Sequence, residues 1–184
     1  TAIVSGAAGC VGRAVCIALM ADTRSNWTVY GIGRNATSGV RFPAGVLNGH
    51  GAHLHEGYVD AFFHCAGNTR HDGQGQKEQW DDNVKFTSSV VRWLNSLHAE
   101  TKLIHTSTAA SYLFHNERQT SNFYALSKAA AEWVVVSHPR AVILQPCVIL
   151  GPGDTKNYSL LFNLASKGKL TTSFQGSIEF GYVR

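Results

Sequence analysis

Charge is scarce in this chain. Asp, Glu, Lys and Arg make up 15% of its 184 residues, against about 25% in an ordinary globular protein. The basic residues are scattered, and no run of them resembles a nucleic-acid-binding arm. The formal net charge of +4 is mild, and a phosphate-bearing ligand would account for it, so no nucleic-acid partner is expected. Cysteine is scarce too: Cys10, Cys16, Cys65 and Cys147 stand apart with no C-x-x-C. That spacing excludes a zinc ribbon or a disulfide framework and fits a reducing compartment, the cytoplasm. No run of eighteen apolar residues occurs, so no membrane-spanning helix is expected. Hydrophobic residues reach 44%, enough for a sizeable core. Surface loops carry much of a protein's charge. The low charge and the apolar runs at both ends, Thr1–Ser5 and Phe180–Arg184, therefore lead us to expect an ordered portion of a longer chain.

Glycine, by contrast, is plentiful and ordered at the start. The apolar run Ala2-Ile3-Val4 leads into Gly6, Gly9 and Gly12, spaced G-x-x-G-x-x-G, and then into Arg13–Ala21 with apolar residues at helical spacing. The pattern predicts strand, tight turn, helix. Glycine lets backbone approach a pyrophosphate, and the amides and dipole of a helix N-terminus stabilise its charge. Glycine-rich turns are common, and this one gains weight from the strand before it and the helix after it.

Further strands are predicted at Trp27–Ile32, Asp60–Gly67, Lys102–Thr108 and Ala141–Pro146, with a last one at Ile178–Val183. Helices are predicted over Gln76–Leu97, Asn122–Trp133 and Tyr158–Lys167, and a turn at Gly151–Asp154. A third strand is expected between residues 35 and 58, near His53–Gly57. Strands alternating with helices argue an α/β fold with a doubly wound parallel sheet. The second strand ends at Gly33-Arg34. An acid there would accept hydrogen bonds from an adenosine ribose. Arg34 suits a 2′-phosphate instead, so NADP is favoured over NAD. His53, His55, His64 and Cys65 lack the second ligand pair of a metal site and read as loop and strand residues. His105 alternates away from the hydroxyls after it and reads as structural.

Tyr124 and Lys128 lie four apart on one helix face, after a strand that ends in Thr106-Ser107-Thr108. Tyrosine is a poor base at neutral pH. A neighbouring ammonium and an oxidised nicotinamide favour its phenolate. Such a pair occurs by chance on many helices, and its weight here comes from its order along the chain.

In that order the chain resembles an extended short-chain dehydrogenase/reductase, the superfamily of NAD(P)-dependent epimerases, dehydratases, dihydroflavonol reductases and 3β-hydroxysteroid dehydrogenases. Gly6-x-x-Gly9-x-x-Gly12 matches the cofactor turn, His64-Cys65-Ala66-Gly67 the segment beside the cofactor, and Asn83-Val84 a helix pair. Ser107-Thr108, Tyr124-x-x-x-Lys128 and Gln145-Pro146-x-x-x-x-Gly151-Pro152-Gly153 match later motifs, with Gln145 where arginine is usual. The resemblance implies a Rossmann domain over residues 1–150 and the start of a small, mostly missing substrate lobe over 151–184. It implies Thr108, Tyr124 and Lys128 as catalytic residues, Lys128 also holding the nicotinamide ribose. Gly6, Ala8, Gly9, Cys10, Val11, Gly12, Arg34, Cys65, Ala66 and Gly67 would bind the cofactor. So would Asn83, Ser107, Tyr124, Lys128, Pro146, Cys147 and Val148. A small-molecule substrate follows, and a homodimer through helices is implied by the resemblance alone. The expected activity is NADP-dependent hydride transfer with a carbonyl or secondary alcohol. The alternatives are a nucleotide-sugar epimerase or dehydratase that keeps NAD, and a binding module without turnover.

Overall fold

The structure, a computed structural model, describes residues 1–33, 58–69, 75–97, 99–115, 122–147, 149 and 163–168. The expected third strand, the 151–154 turn and the last strand lie outside these residues, as do Arg34 and Val148. The chain divides into two compact units, Thr1–Pro146 and Cys147–Arg184. In the second, residues 163–166 form a helical turn inside the predicted 158–167 helix.

The first unit carries five strands: β1 (Ala2–Ser5), β2 (Val29–Ile32), β3 (Ala61–His64), β4 (Lys102–Thr106) and β5 (Ala141–Leu144). They form one parallel sheet in the order β2-β1-β3-β4-β5. The helices are α1 (Cys10–Ala21), α2 (Gln76–Trp80), α3 (Phe86–Leu97), α4 (Ala110–His115) and α5 (Phe123–Val135), with a π-helical segment, Asp81–Lys85, between α2 and α3. The doubly wound α/β expectation holds.

Strand alternation divides the core. Ile3, Phe62 and Leu103 are cross-strand neighbours and pack with Val90, Val91, Leu94 and Val135 of α3 and α5. Val4 points the other way, with Ala7 and Cys16 and the partly buried Val15, Leu19 and Phe63, against α1. Strands so covered on both faces read as short apolar runs, which is why they were legible in the sequence.

β1 has β2 on one side and β3 on the other, so the strand order reverses there. In open parallel sheets a ligand crevice lies outside the carboxyl ends of the strands at such a reversal. The turn after β1 and the residues after β3 both open onto it.

Two local features differ from the expectation. The predicted 76–97 helix widens into a π turn at Asp81–Lys85. The widening places Asp82 and Asn83 where both reach Asn68, beyond β3: Asn68 donates from its backbone amide to Asn83 Oδ1 (2.7 Å) and from its side chain to Asp82 (3.0 Å). α4 was not anticipated. It starts where Thr108 Oγ1 accepts from the Ala110 amide (3.3 Å), a short hydroxyl cap that competes with continuing the strand.

Candidate active site

The glycine turn is closed by backbone. Gly6 has φ +70°, a conformation that favours glycine, and a Cβ there would come within 2.7 Å of the Ala66 nitrogen. At Gly12 a Cβ would lie 2.3 Å from the Gly6 carbonyl oxygen, so only a bare α-carbon lets α1 settle onto the turn. The Gly9 amide donates to the Gly6 carbonyl (2.8 Å), and Gly9 is the N-cap of α1. No acidic residue lies in the first turn of α1, so the helix supplies no carboxylate of its own at the positive end of its dipole. Ala8 and Gly9 are exposed at the mouth of the turn, and Cys10 and Val11 are half-buried. This cradle, which side chains would fill, fits a dinucleotide pyrophosphate.

Beyond β3 the next wall is held from beneath. His64 is fully buried. Its Nε2 lies 2.8 Å from Thr87 Oγ1, and Thr87 gives its proton to the Asn83 carbonyl (2.6 Å). His64 therefore donates through Nε2 and accepts through Nδ1 from the Ser5 hydroxyl (2.6 Å). Ser5 Oγ then accepts from the Ala66 amide (3.3 Å). Burial, helped by the Lys128 charge, lowers the imidazole to about 3, so it is a neutral linker between β1, α3 and the Ala66 backbone. Neither nitrogen is open to a metal. Asn83 is buried. Its amide donates to the Asn68 carbonyl (3.1 Å) and Ser127 Oγ (2.8 Å), binding the β3 loop to α5. Gly67 lies between Asn83 and Lys128: a Cβ would sit 3.3 Å from Asn83 Oδ1 and 3.8 Å from Lys128 Nζ.

Asn122 caps α5, accepting from the Tyr124 amide (3.0 Å) and the Ala125 amide (3.4 Å). The cap starts the helix so that Lys128 faces inward and Tyr124 is half-buried at the edge. Lys128, 3% exposed, donates to the Thr106 carbonyl (2.7 Å) and lies 3.5 Å from His105 Nε2. Burial lowers its ammonium to about 8, with Glu132 acting against the fall. The Tyr124 phenol is hydrogen-bonded to the Thr108 side chain. Burial raises the phenol above its ordinary value, and the Thr108 bond opposes that shift. The lowering expected from the ammonium and the oxidised nicotinamide is therefore not what the polypeptide alone supplies, because desolvation of the phenolate dominates.

The structure thus brings Thr108, Tyr124, Lys128 and Gly67 to one side of the crevice and Gly6, Gly12 and Ala66 to the other, with Cys65 between them. Cys65 is a half-buried thiol that accepts from Thr106 Oγ1 (3.6 Å). The Ser107 hydroxyl is buried and donates to Glu132, and its amide donates to the Leu144 carbonyl (2.7 Å). The Pro146 carbonyl accepts from the Ala109 amide (2.9 Å). Cys147 is exposed and belongs to the second unit. His105 is buried, as a structural residue would be. Alternation turns it inward, where it lies 3.5 Å from the Lys128 Nζ that arrives from α5. Glu132 was also missed, although its spacing of four from Lys128 on one helix was visible in the sequence.

A Rossmann-type parallel sheet, a glycine cradle at the strand-order reversal, and a tyrosine, lysine and threonine across the crevice define a nucleotide-binding domain of the extended short-chain dehydrogenase/reductase superfamily. The chain belongs to the NAD dependent epimerase/dehydratase family, which matches residues 2–184. Among solved structures it is similar to UDP-glucuronic acid 4-epimerase from Bacillus cereus in complex with NAD. The two share 18% identity and a TM-score of 0.69, over 91% of this chain and 63% of that one. It is also similar to dTDP-4-dehydrorhamnose reductase from Bacillus anthracis in complex with NADP (17% identity, TM-score 0.67, 90% of this chain and 60% of that one). A third is TunA, an NAD-dependent NDP-hexosamine 5,6-dehydratase of tunicamycin biosynthesis (22%, TM-score 0.67, 90% and 61%). The chain spans about six-tenths of the length of these proteins. No match was found among curated proteins. Among the described residues no helix is long and apolar enough to cross a membrane.

Proposed function

We propose that the protein is an NADP-dependent oxidoreductase that transfers a hydride between the nicotinamide and a carbonyl or secondary alcohol. The observation that carries this reading is the Thr108–Tyr124 hydroxyl pair with Lys128 behind it. A phenol that burial keeps protonated is suited to act as general acid in reduction. When bound, the nicotinamide supplies the hydride. Thr108 holds the substrate oxygen, Tyr124 gives that oxygen its proton, and the Lys128 ammonium steadies the negative charge left on the phenolate. Gly6, Ala8, Gly9, Cys10, Val11 and Gly12 hold the pyrophosphate. By the family resemblance, Cys65, Ala66, Gly67, Pro146, Cys147 and Val148 are assigned to the nicotinamide half. Asn83 holds that wall in place, and Lys128 also takes the ribose. The preference for NADP rests on Arg34, whose guanidinium matches a 2′-phosphate.

Residues 151–184 begin the lobe that selects a small-molecule substrate. Cysteines held as thiols fit a cytoplasmic protein. A second reading, a nucleotide-sugar epimerase or dehydratase keeping NAD, draws support from the NAD-bound epimerase and the dehydratase among the similar structures. The deciding experiment is calorimetric titration of the full-length protein with NADPH and NADH. Tight NADPH with weak NADH, reversed by Arg34→Asp, supports the reductase. Co-purified NAD moves the assignment to the second reading. In a carbonyl screen, Tyr124→Phe should lose about a hundredfold or more of turnover while keeping NADPH affinity; unchanged turnover refutes the role of Tyr124.

A further inference from the structure

Glu132 lies one helical turn beyond Lys128 on α5 and is 6% exposed. A carboxylate only accepts hydrogen bonds, and donors from three other segments converge on this one. The Ser107 hydroxyl, from the turn after β4, donates to Oε1. The Ser111 hydroxyl, from α4, lies 2.5 Å from Oε1. It also lies 2.7 Å from the Thr108 carbonyl, but it has one proton, and the charged oxygen is the stronger acceptor. The Gln145 amide, at the end of β5, lies 3.1 Å from Oε1 and 3.0 Å from Oε2. Ser107 and Ser111 bracket Thr108, so fixing both fixes the turn that presents its hydroxyl. Gln145 contributes a dipole and no charge, so it leaves the field of the carboxylate in place at Lys128.

We infer that Glu132 is a positioning residue of the proton-transfer site. Its carboxylate clamps the Thr108 turn to the helix carrying Tyr124 and Lys128 and sets a negative charge one helical turn from the Lys128 ammonium. The inference rests on the roles proposed above for those three residues. The groups facing Lys128 among the described residues are His105 and the Thr106 carbonyl from β4, His64 and Cys65 from the end of β3, and Glu132 on its own helix. Both histidines are held neutral by burial. Glu132 is the first of the groups that act against the fall burial imposes on the lysine.

The test needs no nucleotide or substrate, so it stands apart from failure of the cofactor assignment. In the full-length protein labelled with 13C-lysine, the Lys128 Cε resonance is identified as the one lost in Lys128→Arg and followed against pH. In Glu132→Gln its midpoint should fall by about one pH unit, and in Glu132→Asp most of the shift should be restored. Amide exchange at Ala109 and Ser111 should quicken at least about tenfold in Glu132→Gln, with the interior of β4 unchanged. A folded Glu132→Gln protein with an unmoved midpoint and unmoved exchange overturns the inference. Should that variant fail to fold, Gln145→Arg decides. A guanidinium on the carboxylate should lower the Lys128 midpoint, and an unchanged midpoint refutes the electrostatic role.

Discussion

On the β1 side of the crevice, Gly6 and Gly12 shape the wall by having no side chain. Along β3 and β4 the wall is made of buried polar side chains, His64 and His105 with Lys128 and Glu132 of α5, each tied to a neighbour. The first wall tolerates no added atom, because backbone cannot move aside. The second tolerates no unpaired partner, because a buried polar group that loses its hydrogen bond keeps its full desolvation cost. The same crevice is therefore fragile in two ways, steric on one side and electrostatic on the other.

The steric side should give the largest effect. Gly12→Ala puts a methyl 2.3 Å from the Gly6 carbonyl oxygen and 2.6 Å from its carbon. Since α1 must move, a loss of at least about 4 kcal/mol is expected, with nucleotide binding abolished. Urea denaturation and NADPH titration check both. A stable variant that binds normally would mean the turn has room, and the comparison would break.

The electrostatic side should show itself through pH. His64 titrates near its ordinary 6.5 when unfolded and at about 3 when folded. Between those values the unfolded chain binds more protons, so stability is fully present above pH 6.5 and falls as the pH drops toward 3. By pH 4 the loss from this group is on the order of 3 kcal/mol. His105 is shifted in the same direction by burial and Lys128 and adds to the slope. Urea midpoints measured from pH 7 to pH 4 test this, and His64→Gln should be less stable at pH 7 with a shallower fall. An equal slope in the variant would place the acid sensitivity elsewhere.

A smaller effect should come from the helix that joins the two kinds of wall. Asn122→Ala removes the cap of α5 and should cost about 1 kcal/mol, read as a lower thermal midpoint. At the surface, Arg140→Ala breaks a solvent-facing pair with Glu100 (3.0 Å) and should change stability by about 0.5 kcal/mol or less. A larger loss there would blur the contrast between the crevice and the rest of the molecule.

The two walls were unequally legible. The glycine turn reads directly from the sequence, because its cause is local: three residues without Cβ between an apolar strand and a helix. The central strands β1 and β3 read for a similar reason, since burial on both faces writes short apolar runs. Tyr124 and Lys128 were visible by helical spacing. His105 was assigned to packing because alternation tells which way a side chain points but not what waits there. Asn83 was picked out by family pattern, and only the π turn explains why it reaches Asn68 and Ser127 rather than solvent. Ser107 and Glu132 lie 25 residues apart, and nothing local joins them.

The sequence by itself determined the alternation of strands and helices, the glycine cradle, and the tyrosine–lysine pair. Each follows from steric or periodic rules that act within a few residues. Only the tertiary structure decided which hydroxyl faces the crevice, which histidine lies under the lysine, and that one carboxylate gathers donors from three other segments. Those choices depend on desolvation and on hydrogen-bond partners brought together by parallel strand pairing, across separations that no local pattern records.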